Sequence, residues 1–246
     1  MLSSLRRAYV YGRTFADVQS AWRFHKTKSS PASDRLVGYS IRPLHGQTVY
    51  CRPGTTDCAV LADTFFARYH LPPVLPQPRT ILDLGSNIGL TVAHFAWLYK
   101  EARILGIEMD RGNFKMCKLN TAPHSDHCEV LWGAAWTHDG EVSYSGNEEW
   151  GFRVSRTGVS STPSYSMASL ISRLGSSVDY VKMDIEGAER DILSTADSWI
   201  RSARCLKIEI HEPYTVEMCI KDLEKWDFRC ERDRAHWACV VATRAE

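Results

Sequence analysis

The residues ILDLGSNIGLT, Ile81 to Thr91, limit the possible folds of this chain more than any other stretch. Ile81 to Leu84 read as a short buried strand. Gly85, Ser86 and Asn87 make a turn, and Gly89 opens a helix. A strand that runs through a tight glycine turn into a helix leaves free backbone N–H groups at the helix start, which receive polar or anionic groups. The pattern is not the dinucleotide fingerprint. That fingerprint needs a glycine where Asp83 stands, so that the backbone can approach a pyrophosphate. An NAD-dependent oxidoreductase is therefore disfavoured, and an acid at this place suits a ligand with positive charge. Glu108, 25 residues after Asp83, ends a second strand, RILGIE. A carboxylate there can chelate the ribose hydroxyls of any nucleoside ligand.

Strand and helix alternate from residue 79 onward. The pattern predicts strands over 79–84, 103–108, 129–134, 178–184 and 204–210. Helices are expected over about 89–100, 111–120, 167–174, from Gly187, and over 215–226. Two final strands, about 227–231 and 236–243, close the chain as a hairpin. This is βα repetition ending in antiparallel strands. Residues 139–166 interrupt it with DG and SG turn signals and few helix formers. The insert carries Tyr144, Trp150, Phe152, Arg153 and Tyr165, and reads as a loop shaping a substrate pocket. Residues 1–35 read as a polar, mobile helical extension. In it Phe15, Val18, Ala21, Trp22 and Phe24 can form one apolar face, for simple packing, or for dimerising, covering the active site or touching a membrane surface. Residues 36–72 hold two short strands, then RPGTTD and an apolar helix. LPPVLPQP links them to the first core strand.

Thirty basic and 29 acidic residues give a net charge of +1, which excludes a general nucleic-acid binder. No run of about 18 apolar residues exists, so no membrane span is expected. The eight cysteines include no C-x-x-C pair, and most lie in apolar stretches such as WACVVA. Reduced core cysteines and a cytoplasmic location are the expectation.

Two further clusters carry chemistry. VKMDIEGAERDIL places Lys182, Asp184, Glu186 and Glu189 around the C-terminal end of a buried strand. Acids at a helix start satisfy the macrodipole and account for Glu186 and Glu189. They do not account for Lys182, which strand alternation puts on the same side as Asp184. KIEIHEP sets Glu209 and His211 two apart at the next strand end, where a His beside a carboxylate can take a proton near neutral pH. A structural His–Glu hydrogen bond is the alternative. In WGAAW, small residues around Ala135 can lie flat against a purine, or Trp132 and Trp136 can simply pack in the core.

Taken in this order, ILDLGSNIGLT, the strand ending in Glu108 with MDRGNFKMCKLN after it, and DYVKMDIEGAERDIL resemble the FkbM-like family of O-methyltransferases, which use S-adenosylmethionine (SAM). KIEIHEP and the upstream RPGTTD, Arg52 to Asp57, are similar to family elements too. The resemblance covers about residues 48–243. It implies a class I SAM-methyltransferase fold, a Rossmann-like sheet that is mostly parallel with an antiparallel C-terminal hairpin, here over 36–246. It implies SAM at Asp83, Gly85, Asn87, Gly89 and Glu108; Ser86 of the same turn, Met109, where the chain departs from the family's usual proline, and Ala135 are further candidate cofactor contacts. SAM carries a sulfonium and an ammonium, as the acid at Asp83 would suit. Asp184, Glu186, Glu209 and His211 fall near the transfer site. His211, neutral and oriented by Glu209, is the expected base, acting on a hydroxyl of a small molecule, sugar, glycolipid or other natural product. Alternatives are Mg²⁺ held by Asp184, Glu209 and His211, and a non-catalytic SAM-binding protein.

Overall fold

The computed structural model describes residues 2–33, 35–73, 77–145, 153–154 and 160–244. Helices α1 (Leu2–Thr14) and α2 (Val18–Thr27) precede an antiparallel hairpin, β1 (Val37–Ile41) and β2 (Gln47–Cys51). The short α3 (Asp57–Ala62) runs into a single π-helical turn, Asp63–Ala67. The alternating part then follows as β3 (Thr80–Leu84), α4 (Leu90–Leu98), β4 (Arg103–Glu108), α5 (Arg111–Thr121) and β5 (Cys128–Trp132). A small second sheet comes next, from β6 (Ala134–Trp136), β7 (Gly140–Ser145), β8 (Arg153–Val154) and β9 (Ser160–Ser166). The main sheet resumes with α6 (Met167–Leu174), β10 (Val178–Met183), α7 (Glu189–Leu193) and β11 (Ala203–Glu209). It ends with α8 (Val216–Glu224), β12 (Phe228–Arg232) and β13 (Cys239–Arg244).

The main sheet has seven strands in the order β12-β13-β11-β10-β3-β4-β5. Its central strands pair in parallel, and β13 pairs antiparallel with both β11 and β12. This is the expected class I Rossmann-like sheet. Strand order reverses between β3 and β10, and open α/β sheets bind ligands at the strand C-termini beside such a reversal. Leu82, Leu84, Val181, Met183, Leu206 and Ile208 are buried in the largest apolar cluster. α4 is apolar all round, with Leu90 to Ala96 buried throughout, as a helix covered on both sides must be.

Three expectations change. The extension is helical, as two helices, but its expected apolar face is only partly buried. Phe15 and Phe24 are buried beside Tyr39 in a second core with β1, β2 and α3. Of its expected apolar face, Val18 and Trp22 are instead 84% and 57% exposed. The insert is a sheet rather than a loop, with β9 paired between β6 and β7. Trp150 and Phe152 lie outside the described residues. The strand predicted over 129–134 is two strands, split at Gly133. That residue has φ +152°, and a Cβ there would lie 2.6 Å from the carbonyl oxygen of Pro163. No described helix is long and apolar enough to cross a membrane. All eight cysteines are free thiols.

The upstream element is braced by a bidentate pair and tied to α5 through Asn113. Arg52 donates to both carboxylate oxygens of Asp57, at 3.0 and 2.7 Å, and to Oδ1 of Asn113 on α5 at 2.6 Å. The backbone N–H of Arg52 also donates to Asp57, at 2.7 Å. Asp57 is fully buried, whereas the Arg52 side chain is 20% exposed. Breaking a buried pair costs about 3–5 kcal/mol; discounted for that exposure, Asp57→Ala should lower unfolding free energy by about 2 kcal/mol in urea denaturation. An unchanged midpoint would show that the pair does not anchor this segment.

Candidate active site

The C-terminal ends of β3, β4, β10 and β11 meet at a cavity of about 260 Å³, close to the lower end of the roughly 300–1,000 Å³ common for small-molecule sites. Gly85, Ser86 and Asn87 form its floor after β3. Glu108 and Met109 enter from β4, and Gly133 to Ala135 line another side. Asp184 and Glu186 follow β10, and Glu209 ends β11. The remaining wall comes from before the first core strand, where Thr56, Asp63 and Tyr69 face the cavity. Spacing within the βα repeat held no signal for Asp63 or Tyr69; the RPGTTD element just upstream was the nearest one.

The loop after β3 is fixed by neighbours that local sequence does not reveal. Gly85 has φ +75°, and a Cβ there would fall 1.8 Å from the carbonyl oxygen of Asp184. A side chain at Gly85 therefore collides with the backbone just after β10. Gly89, with φ +83°, is not on the cavity wall. Its Cβ would meet Cys117 of α5 at 2.7 Å, so it is glycine to let two helices touch. Asp83 is also absent from the wall. It is fully buried, accepts a hydrogen bond from the Thr91 hydroxyl, and lies 3.5 Å from Lys182 Nζ. The acid expected to meet the ligand's cation instead meets a lysine of the same sheet. Burial raises its carboxyl pKa, with Lys182 opposing.

Glu108 stands where the sequence put it. Its Oε2 accepts from the Asn87 N–H and its Oε1 from the Asp110 N–H, both at 2.8 Å. Each oxygen keeps further lone-pair capacity. Burial pushes this carboxyl up to about 7, against the two backbone donors. Met109 receives the Trp132 indole N–H on its carbonyl, and Arg111 caps that ring 3.7 Å from its centroid.

Around Asp184 the acids and His211 pair differently from expectation. His211 Nδ1 lies 2.9 Å from Oε1 of Glu189, a carboxylate on α7 that is fully buried. Nε2 faces Glu186 at 3.4 Å and Asp184 at 4.0 Å. Glu189, not Glu209, orients the ring, and His211 does not line the cavity. Glu209 lies 3.9 Å from His236 Nε2 instead. The metal trio Asp184, Glu209 and His211 is likewise not formed. The ligand atoms of Asp184, Glu186 and His211 cluster together, and Glu209 groups with His236 and Cys239. Burial would lower the His211 pKa. The Glu189 hydrogen bond and the Glu189, Glu186 and Asp184 charges outweigh it and bring it up to about 9. The direction of this shift favours the imidazolium over the neutral ring expected of a base. Burial, aided by Asp184, lifts Glu209 to about 7.

The cavity is lined by carboxylates and lies at the switch point of a class I Rossmann-like sheet. The sequence model described as "Methyltransferase FkbM domain" matches residues 83–230, well over half the chain, and the chain belongs to that family. Among solved structures, a methyltransferase from Geobacter sulfurreducens is 14% identical with TM-score 0.47, covering 99% of this chain and 96% of that one. A precorrin-6y C5,15-methyltransferase from Geobacter metallireducens is 11% identical with TM-score 0.45, covering 73% of this chain and 85% of that one. A search of curated proteins finds no match. The protein is a methyltransferase, and its fold class implies SAM as donor.

The raised His211 pKa has a signed consequence. The folded state binds this proton more tightly than the unfolded chain, whose value is near 6.5. The stabilisation is complete below pH 6.5 and is lost as pH rises through about 9. Denaturation midpoints of the ligand-free protein should fall across that window, and His211→Gln should flatten the fall. Parallel curves for the two proteins would show that the ring is not held charged by the fold.

Proposed function

We propose that the protein transfers the SAM methyl group to a hydroxyl of a small molecule, sugar, glycolipid or other natural product. One observation carries this reading. Asp184, Glu186, Glu209 and Glu108 converge on one cavity, and among the described lining residues the only cation, Lys182, is already engaged by Gly85, Asp83 and Asp184. That acceptor-rich lining fits a donor bearing a sulfonium and an ammonium. Bound there, SAM supplies an electrophilic methyl for in-line displacement.

The remaining work belongs to the chain. Glu108 accepts the ribose hydroxyls, and Met109 and Ala135 offer flat apolar contact for the base. Ser86 and Asn87 hold the loop beneath them. Asp184 and Glu186 face the ammonium. Glu209 takes the acceptor hydroxyl's proton, because a carboxyl poised near 7 matches the operating pH of a general base. His211 stays protonated and offsets part of the negative charge. Asp83 and Gly89 serve the framework from outside the cavity.

Glu108 must be ionised to accept both hydroxyls, so SAM affinity should rise as pH passes upward through about 7. Glu108→Gln should bind SAM roughly ten- to a hundred-fold more weakly by calorimetry, with that pH dependence reduced. Wild-type affinity in a folded Glu108→Gln protein would remove the ribose assignment.

Glu209→Gln tests the base. Its maximal methylation rate should drop about 10²–10⁴-fold while SAM affinity stays near wild type. A comparable loss in His211→Gln with Glu209→Gln unaffected would return the base role to the imidazole.

A further inference from the structure

α3 has the catalytic cavity on one side and a larger groove, of about 730 Å³, on the other. Ala59 lines both, and the adjacent Thr55 and Thr56 fall one to each side. Tyr11, Phe24 and Phe66 give the groove an aromatic floor, with ring centroids 5.5–5.9 Å apart. Arg6 and Arg7 of α1 and Lys28 just beyond α2 also line it, and all three are exposed. Among the described residues no Asp or Glu lines it. Among the described residues none of these three cations has an ion pair. Isolated surface cations are ordinary, being solvated. Three of one sign around an apolar floor make a local field that favours an anion carrying an apolar body. The volume suits a small molecule rather than a macromolecular chain.

We propose that this groove holds the body of the methyl acceptor, a soluble hydroxylated amphiphile with an anionic end. Its apolar part lies on Tyr11, Phe24 and Phe66. Its carboxylate or phosphate meets Arg6, Arg7 and Lys28. Its hydroxyl reaches across the small side chain of Ala59 to Glu209. The last step rests on the hydroxyl-methylation reading above; the binding of an anionic amphiphile does not. The assignment gives α1 and α2 a role in substrate selection.

Dodecyl phosphate, titrated calorimetrically into the full chain below its micelle concentration, is the probe. Saturable one-to-one binding that weakens with salt is expected. Arg6→Glu combined with Arg7→Glu should weaken it at least ten-fold, and Ala62→Trp, which fills the groove, should do the same. SAM affinity and melting temperature, measured on each variant, separate lost binding from lost folding. Equal binding of an uncharged dodecyl glycoside, or charge-reversed protein that binds as wild type, overturns the proposal. So does binding to phosphatidylglycerol vesicles without binding of the monomeric probe, which would make this a membrane-facing surface. In the final arm, 12-hydroxydodecyl phosphate should be methylated with SAM. Probe binding without methylation overturns the acceptor role. Failure to bind SAM in the same titrations would instead count against the methyl-transfer reading.

Discussion

Lys182 sits at the junction of the two strands that frame the site, 4% exposed. Its ammonium donates to the Gly85 carbonyl at 3.0 Å and lies 3.3 Å from Asp184 and 3.5 Å from Asp83. Burial alone would drive its proton off, but Asp184 and then Asp83 reverse that and keep it charged. An unpaired charge in this position would cost several kcal/mol, so lysine and acids require one another. The two partners do not share the effect equally. Burial dominates on Asp83, whose Oδ1 makes no hydrogen bond, while attraction dominates on Lys182. The loop after β3 is thereby tied to the end of β10. Gly85 must lack a side chain because that tie brings the Asp184 carbonyl against its Cα.

The same economy of charge shapes the far side of the cavity. Glu189, Glu186 and Asp184 surround His211, and a neutral ring would leave three acids repelling one another. The imidazolium is the counter-ion that lets Asp184 and Glu186 face the cavity together. Protonation of His211 and the basicity of Glu209 are consequently two aspects of one crowded set of acids, arranged by the ends of β10 and β11.

The sheet was legible because its periodicity is local. Runs such as ILDL, ILGIE and VDYVKM declare buried strands without outside help, and the final hairpin follows from two short apolar runs. The insert was harder. β9, SSTPSYS, is serine-rich and contains Pro163, and its partners are β6 and β7 rather than an adjacent hairpin mate. Among site residues, Glu108 was readable because a strand-end acid needs only its own strand to place it. Local spacing does not place Asp83, because its partner Lys182 lies 99 positions later in the sequence. Nor does it reveal the bond of Glu189 to His211, which spans 22 residues. Local spacing carries direction along a strand. It does not carry which distant charge will be brought alongside.

The position of β13 bears on how the chain is made. This strand is last in sequence among those of the main sheet, yet it lies between β11 and β12 and pairs with both. A chain emerging from the ribosome presents β3, β4, β5, β10 and β11 before β13 exists. β11 must wait with one edge open, and β12 has no partner in the sheet until residue 244 is free of the exit tunnel. Until then the edge of β11, beside Glu209, is exposed to whatever strand arrives first. Addition of β13 is thus the step that closes the open edge of β11.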